Sequence, residues 1–349
     1  MSRTDTDRDL DRMGTVAGEV VIDAHAHIVP ASLLEELAKT PVSGFGATRV
    51  EQGWVVSVPG MGDTRPIGAR MTEPGPRAAW MSKTGVTRQV LSPWMDIQTG
   101  QLAPGAARDW TRRLNDAMSE SAVSLGATAL ASVATDDGEQ AATDLGELWK
   151  SPEISGLMLS TNPLGGPALH DPALTPLWTL AEEQGIPIML HPPTCGPSGE
   201  LTTIGGLGNV HGRLLDNTLA ITELILHGLL DRHPGLELVL VHGGGFLPYQ
   251  ANRLDGGYRT KEAFVAPLAR ETPSAYLRDF HYDTVALSGA AIAFLAGLVG
   301  ADRVLLGSDF PFALGDPEPV RTVLGSGLKP HETDAILYSN AAKLFGRKP

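Results

Sequence analysis

Two histidines one residue apart, His25 and His27, close the segment Asp23-Ala24-His25-Ala26-His27 directly after an apolar run. In an extended chain, residues two apart point to the same side, so both imidazoles can reach one metal ion. His191 ends a second apolar run, Ile186-Pro187-Ile188-Met189-Leu190, and Pro192-Pro193 then forces the chain out of regular structure. Asp309 ends a third, Leu305-Leu306-Gly307-Ser308-Asp309. A carboxylate just beyond an apolar strand needs a counter-charge, and a divalent cation supplies one.

His242 precedes Gly243-Gly244-Gly245. Glycines let a ligand approach the backbone closely, and a histidine beside them can act as general acid or base. Three histidines and a carboxylate form the donor set of a metal centre with an open position. Zinc suits it, and manganese or iron is compatible with the same ligand types. The remaining histidines, His170, His211, His227, His233, His281 and His331, read as structural. His211 is the exception, a candidate for substrate contact because its loop follows His191.

These residues must be held by elements that end together. Short aliphatic and β-branched runs at 20–24, 87–92, 128–134, 154–160, 186–190, 236–241, 281–285 and 304–307 read as strands. Amphipathic stretches at 106–125, 172–184, 213–230, 248–259, 288–299 and 332–344 read as helices between or after them. Strands alternating with helices give a parallel sheet, and eight such units give an α/β fold of the (β/α)8 barrel type. The five residues then stand at the C-terminal ends of strands one, five, six and eight, the face where active sites of this fold sit.

The expected organisation is a disordered tail over 1–16 and one barrel over 17–349. A rim insertion at about 40–75 contains a β-hairpin at 44–59, where Trp54-Val55-Val56-Ser57-Val58 alternates.

Composition removes other classes. The 349 residues carry a formal charge of −13 and no Lys/Arg cluster, which disfavours nucleic acid as a partner. That field also opposes an anionic substrate unless the pocket brings its own cations. The first sixteen residues lack the apolar core of a signal peptide, and no apolar stretch is long enough for a membrane span. A single cysteine, Cys195, excludes an intrachain disulfide and fits a cytoplasmic location.

Taken together, the motifs resemble the decarboxylase-like branch of the amidohydrolase superfamily, the aminocarboxymuconate semialdehyde decarboxylases in particular. The resemblance rests on Ile22-Asp23-Ala24-His25-Ala26-His27, Leu190-His191-Pro192, His242-Gly243-Gly244-Gly245 and Leu306-Gly307-Ser308-Asp309-Phe310-Pro311-Phe312, and runs from about 20 to 345. It implies one zinc held by His25, His27, His191 and Asp309, with His242 as acid/base on the metal-bound water.

The resemblance extends to two arginines. Arg65, in Asp63-Thr64-Arg65-Pro66, matches the family's contact to a substrate carboxylate. Arg253 matches an arginine that the family supplies from the neighbouring subunit, which implies a homodimer. Guanidinium suits a carboxylate because it bonds it in bidentate fashion.

Two departures refine the expectation. The family's His-Pro step is followed by Trp and a loop of large residues, whereas here Pro193-Thr194-Cys195-Gly196-Pro197-Ser198-Gly199 follows, so the muconate substrate itself is not implied. Strand four, Gly156-Leu157-Met158-Leu159-Ser160, lacks the lysine whose carbamate bridges two metals in binuclear amidohydrolases, so one divalent metal and no organic cofactor is expected. The expected activity is non-oxidative decarboxylation of an unsaturated or aromatic carboxylic acid. Hydrolysis or hydration by the same metal is the alternative. A catalytically silent binding barrel is a third reading, and it would require the loss of a ligand or of His242, neither of which is lost.

Overall fold

Strand β1 (Ile22–Ile28) is followed by a small antiparallel set, β2 (Gly46–Val50), β3 (Gly53–Val58) and β4 (Gly62–Asp63). Then come β5 (Arg88–Pro93), β6 (Thr128–Ala131), β7 (Ile154–Ser160), β8 (Ile188–His191), β9 (Leu238–Leu240), β10 (Phe280–Asp283) and β11 (Val304–Leu305). The structure is a computed structural model that describes residues 20–97, 102–163, 166–194, 196 and 204–346. The tail expected over 1–16 lies outside these residues, as do Cys195 and 197–203 of the loop after His191.

β1 and β5 to β11 form one parallel sheet in sequential order. Helices between them include Pro104–Leu125, Gly138–Leu148, Thr175–Gln184, Arg213–Leu226, Leu247–Thr260 and Gly289–Val299. The sheet curls until its edges meet. Ala24 N–H donates to Leu306 O (2.8 Å), Asp309 N–H to His25 O (2.8 Å) and His27 N–H to Phe310 O (2.6 Å). Asp23 reinforces the seam, its carboxylate accepting from Ser308 Oγ (2.6 Å) and from Gln89 Nε2 (2.9 Å). The fold is therefore the (β/α)8 barrel expected.

Two apolar layers hold it. Inside the barrel, Ile22, Val90, Leu130, Met158, Met189 and Val239 pack together, and Phe345 of the last helix joins them. Outside, residues such as Leu91, Leu157, Leu190 and Leu240 pack between strands and helices. On a strand alternate residues face opposite sides, so Met189 inside places His191 inside as well.

β1 breaks that rule in an instructive way. Ile22 and Ala24 belong to the inner layer. Strict alternation would therefore send His25 and His27 outward. The pairing register of β1 with β5 shifts between Asp23 and Ala26, and such an irregularity reverses the alternation. Ile28 then packs outside, while both histidines turn into the barrel mouth.

Several boundaries differ from expectation. β1 continues to Ile28, so the two histidines lie within the strand rather than beyond its end. The helix expected over 213–230 ends at Leu226, because Gly228 takes a left-handed conformation (φ 66°) before a short turn at Leu229–Arg232. The segment 332–344 is not one regular helix: Pro330–Asp334, a π-helical Ala335–Ser339 and Asn340–Phe345 follow one another. The rim element has three strands rather than two, since β4 pairs with β3. It is fastened to the barrel by Phe45, whose ring stacks on Trp110 at 3.7 Å.

Among the described residues, no helix is long and apolar enough to cross a membrane.

Candidate metal centre

The ends of β1, β8, β9 and β11 deliver five side chains to one point. His25 Nε2 lies 3.0 Å from His27 Nε2. Asp309 Oδ1 lies 3.2 Å from His27 Nε2 and 3.5 Å from His25 Nε2. The His191 ring centre is 5.3 Å from that of His25 and 5.0 Å from that of His27. His242 completes the ring of five, with Nε2 3.9 Å from Asp309 Oδ2. One ligand atom from each of His25, His191, His242 and Asp309 falls within 4.8 Å of the others, a grouping able to hold a metal ion.

Hydrogen bonds behind the rings divide the five by role. His25 Nδ1 donates to Asp283 Oδ2 (2.6 Å), His27 Nδ1 to Pro93 O (3.1 Å) and His191 Nδ1 to Pro192 O (2.8 Å). Each partner can only accept, so each Nδ1 carries the hydrogen and each neutral ring presents a lone pair at Nε2. Three lone pairs and a carboxylate thus converge. Two of those lone pairs face each other across 3.0 Å, an arrangement that a cation stabilises and its absence does not. His191 Nε2 is buried without a hydrogen-bond partner, as a ligand atom would be. The donors fit a divalent cation.

His242 has the opposite tautomer. Asn217 Nδ2 donates to Val241 O (3.1 Å) and lies 3.3 Å from His242 Nδ1. An amide nitrogen only donates, so His242 Nδ1 accepts and its Nε2 carries the hydrogen that faces Asp309 Oδ2. In the neutral ring it presents a hydrogen rather than a lone pair to the centre.

The electrostatics favour the neutral ring at two of the three pinned histidines, His191 and His27. Burial, together with the neighbouring His27 and His25, holds the pKa of His191 well below the usual imidazole range. Burial lowers His27 as well. Burial also acts against the charged form of His25, but the Asp283 hydrogen bond and the Asp309 charge outweigh it and raise its pKa. For Asp309, burial works upward, yet the imidazoles of His242 and His27 beside it hold its carboxyl well below the usual range. Asp23 is different. It is buried behind the centre and its pKa is raised by that burial.

Backbone strain is concentrated here. His242 (φ 55°) and Asp309 (φ 57°) both adopt left-handed conformations, which non-glycine residues seldom occupy and which cluster at functional sites. Gly245 is required by contact, because a Cβ there would lie 2.3 Å from Leu214 O.

A cavity of about 440 Å³ opens over the centre, with His242 and Asp309 in its wall. That volume accommodates a small organic molecule. Its apolar lining includes Leu214, Phe246, Val285, Leu287 and Phe312. Arg65 reaches it from just beyond β4, its guanidinium 5.1 Å from the Phe312 ring and 5.4 Å from that of Trp94. His211 also lines it. Arg253 is exposed on the helix Leu247–Thr260 and is not among the residues lining this chain's cavity.

Sequence reasoning missed several participants. Asp283 is the last residue of β10 and Asp309 lies shortly beyond β11, so position at a strand end was the signal available. Asn217 and Arg213, on the helix after the π-helical turn Gly208–Gly212, carried no such signal.

Comparisons with known proteins agree with this picture. The family model described as Amidohydrolase matches residues 22–347. The 2-amino-3-carboxymuconate-6-semialdehyde decarboxylase of Dictyostelium discoideum is 26% identical over 343 residues, covering 94% of this chain and 92% of that protein. The crystal structure of 5-carboxyvanillate decarboxylase from Sphingomonas paucimobilis superposes with a TM-score of 0.78 at 21% identity, covering 94% of this chain and 99% of that one. A 5-carboxyvanillate decarboxylase from Novosphingobium aromaticivorans, solved with manganese and 4-hydroxy-3-methoxy-5-nitrobenzoic acid, gives 0.76 at 20%, covering 95% and 97%. At these identities the structural likeness is one of fold.

Proposed function

The chain belongs to the amidohydrolase family, and from that premise we propose that it is a metal-dependent, non-oxidative decarboxylase of an aromatic or unsaturated carboxylic acid. The observation that carries this reading is the tautomer pattern. Three pinned imidazoles present lone pairs at one point beside the Asp309 carboxylate, and a fourth, His242, presents an N–H next to them.

His25, His27, His191 and Asp309 would hold one divalent cation. Zinc suits the donor set, and manganese is the ion in a solved structure of the same fold. When bound, the cation supplies Lewis acidity, polarising a substrate oxygen and steadying charge that develops on it. His242 relays a proton through Nε2 to the carbon bearing the carboxylate, as imidazolium giving way to the neutral ring, and the π pair of the adjoining double bond forms the new C–H bond. The bond from that carbon to the carboxylate then breaks, its electron pair re-forms the double bond, and carbon dioxide leaves. Asn217, beside Nδ1, orients the ring so that Nε2 faces the centre. Arg65, flattened between Phe312 and Trp94, orients a carboxylate. His211 is a further substrate contact from the cavity wall.

The active form is a homodimer in a reducing cytoplasm. Exposed Phe246, Tyr249, Phe294 and Leu298 form an apolar surface near the cavity, with Tyr249 stacked on Phe294 at 5.1 Å. Soluble proteins seldom leave such patches uncovered. Arg253 stands one helical turn from Tyr249 on the same helix, and on this reading it enters the neighbouring subunit's cavity. The barrel over 17–349 with its rim insertion acts as one domain.

The test is metal analysis paired with a carbon dioxide release assay over aromatic and unsaturated acids. About one ion per chain with gas evolution supports the reading. One ion with water uptake in place of gas would move the assignment to hydrolysis or hydration, and a chain that binds no ion would overturn it.

A further inference from the structure

Behind the metal centre lies a buried cation, Arg77, that takes no part in the proposed reaction. It belongs to the helix Pro74–Thr84 and is 2% exposed. Burying a guanidinium is costly unless its donors are engaged. Burial pulls its pKa down to about 10, against the upward pull of the Asp23 charge, so it remains a cation at neutral pH. Nη1 donates to Gln89 Oε1 (2.7 Å) and Nη2 to His27 O (2.5 Å). Both acceptors are neutral. The guanidinium carbon also lies 4.8 Å from the centre of the Phe310 ring.

Gln89 extends the connection, since its Nε2 donates to Asp23 Oδ2 (2.9 Å). A continuous bridge of side chains therefore runs from Asp23 through Gln89 and Arg77 to the carbonyl of His27. Its ends flank the register shift of β1, which falls between Asp23 and Ala26. An irregularity of this kind disrupts the backbone ladder locally, so side chains must hold what strand pairing does not. The stake is high, because without the shift His25 and His27 would face away from the barrel mouth. Arg77 also reaches the far side of the seam. His27 N–H donates to Phe310 O, and the Phe310 ring lies against the guanidinium. His27 is thus held at its carbonyl by Arg77 and at its amide by the residue that follows Asp309.

We propose that Arg77 is a positioning residue of the metal centre: by tying Gln89 to the His27 carbonyl across the register shift, it sets the spacing of the two β1 imidazoles that share an ion. It touches neither substrate nor metal and acts through the backbone of His27. Lysine cannot replace it fully, because an ammonium lacks the planar fork that serves two acceptors at once. The inference rests on the metal-binding part of the proposed function and is independent of the reaction catalysed there.

The experiment is chelator competition on the full-length protein loaded with zinc, and in parallel with cobalt, whose visible absorption reports ligand geometry. Circular dichroism of the metal-free form verifies that each variant folds. Arg77→Met keeps an unbranched apolar stem beside Phe310 and removes both donors. Its zinc affinity is expected to fall about 10–100-fold, the range for groups that orient a metal ligand, and its cobalt band to shift. Arg77→Lys, serving one acceptor, recovers part of that loss. A residue that only supported the fold would lower the denaturant midpoint of the metal-free protein and leave zinc affinity and the cobalt spectrum unchanged, and that result overturns the proposal. If Arg77→Met does not fold, Gln89→Met cuts the same bridge at its other joint. Affinity should then fall at least about threefold, and an unchanged value overturns the proposal equally. Wild-type protein that binds neither ion would overturn the metal centre itself, whereas full wild-type binding that Arg77→Met leaves intact overturns the role of Arg77 alone.

Discussion

The floor of the cavity and its rim are built on different principles. At the floor, every ligand candidate sits on or just beyond a barrel strand, and each metal-facing imidazole is pinned from behind by an acceptor. At the rim, Arg65 follows a two-residue strand, while His211 and Arg213 come from a π-helical turn and the helix after it. The floor is buried, whereas Arg65 and His211 are exposed. The contrast teaches that the chemistry is held by rigid ladder geometry, while substrate choice is left to segments that can change without disturbing it.

If that division is right, floor substitutions abolish turnover and rim substitutions alter discrimination. The largest effect is expected from Asp309→Ala, which should lose the metal and lower kcat/KM at least roughly 10⁴-fold, checked by elemental analysis beside the assay. His242→Ala should keep the metal but reduce kcat by roughly 10³-fold, as loss of a general acid does. Full activity in that variant would remove His242 from the mechanism. Asp283→Ala leaves every ligand in place yet frees the His25 ring, so metal affinity should fall about 10–100-fold in a chelator competition. At the rim, Arg65→Ala should raise KM about tenfold with metal content unchanged. Metal loss in that variant would break the division.

The smallest effect concerns Asp96, and its sign follows from burial. Its pKa is raised from 3.8 to about 6. The fold therefore favours the protonated acid, and this contribution is complete below pH 4 and lost as pH rises through 6. Asp96→Asn, neutral throughout, should stabilise the protein by about 2 kcal/mol at pH 8, allowing for partial exposure, and by little at pH 4. Denaturant unfolding at the two pH values measures it.

Much of the floor was legible because strand ends write a local signature. Apolar runs stop at His25, His191, His242 and Asp309, and a parallel barrel sends all such ends to one face. The eight strands and most helices followed from the same alternation. Less was legible at the rim. The third strand of the insertion is two residues long, too short for any period to register, and Arg213 and Asp96 meet only because a helix start and a strand end happen to face the same cavity.

By itself, then, the sequence determined the barrel, the residue types at its mouth and the presence of a metal-binding set, since these depend on periodicity and on what must be neutralised when buried. Three things were decided only by the tertiary structure. The register shift between Asp23 and Ala26 turns His25 and His27 inward although Ile22 and Ala24 already face the core. The partners Asp283, Pro93, Pro192 and Asn217 separate the lone-pair imidazoles from the proton-bearing one. Arg65, Arg213 and Asp96, from three separate elements, line one cavity of about 360 Å³. In each case the reason is the same: the deciding contact joins atoms from separate elements, and local spacing carries no information about which elements will meet.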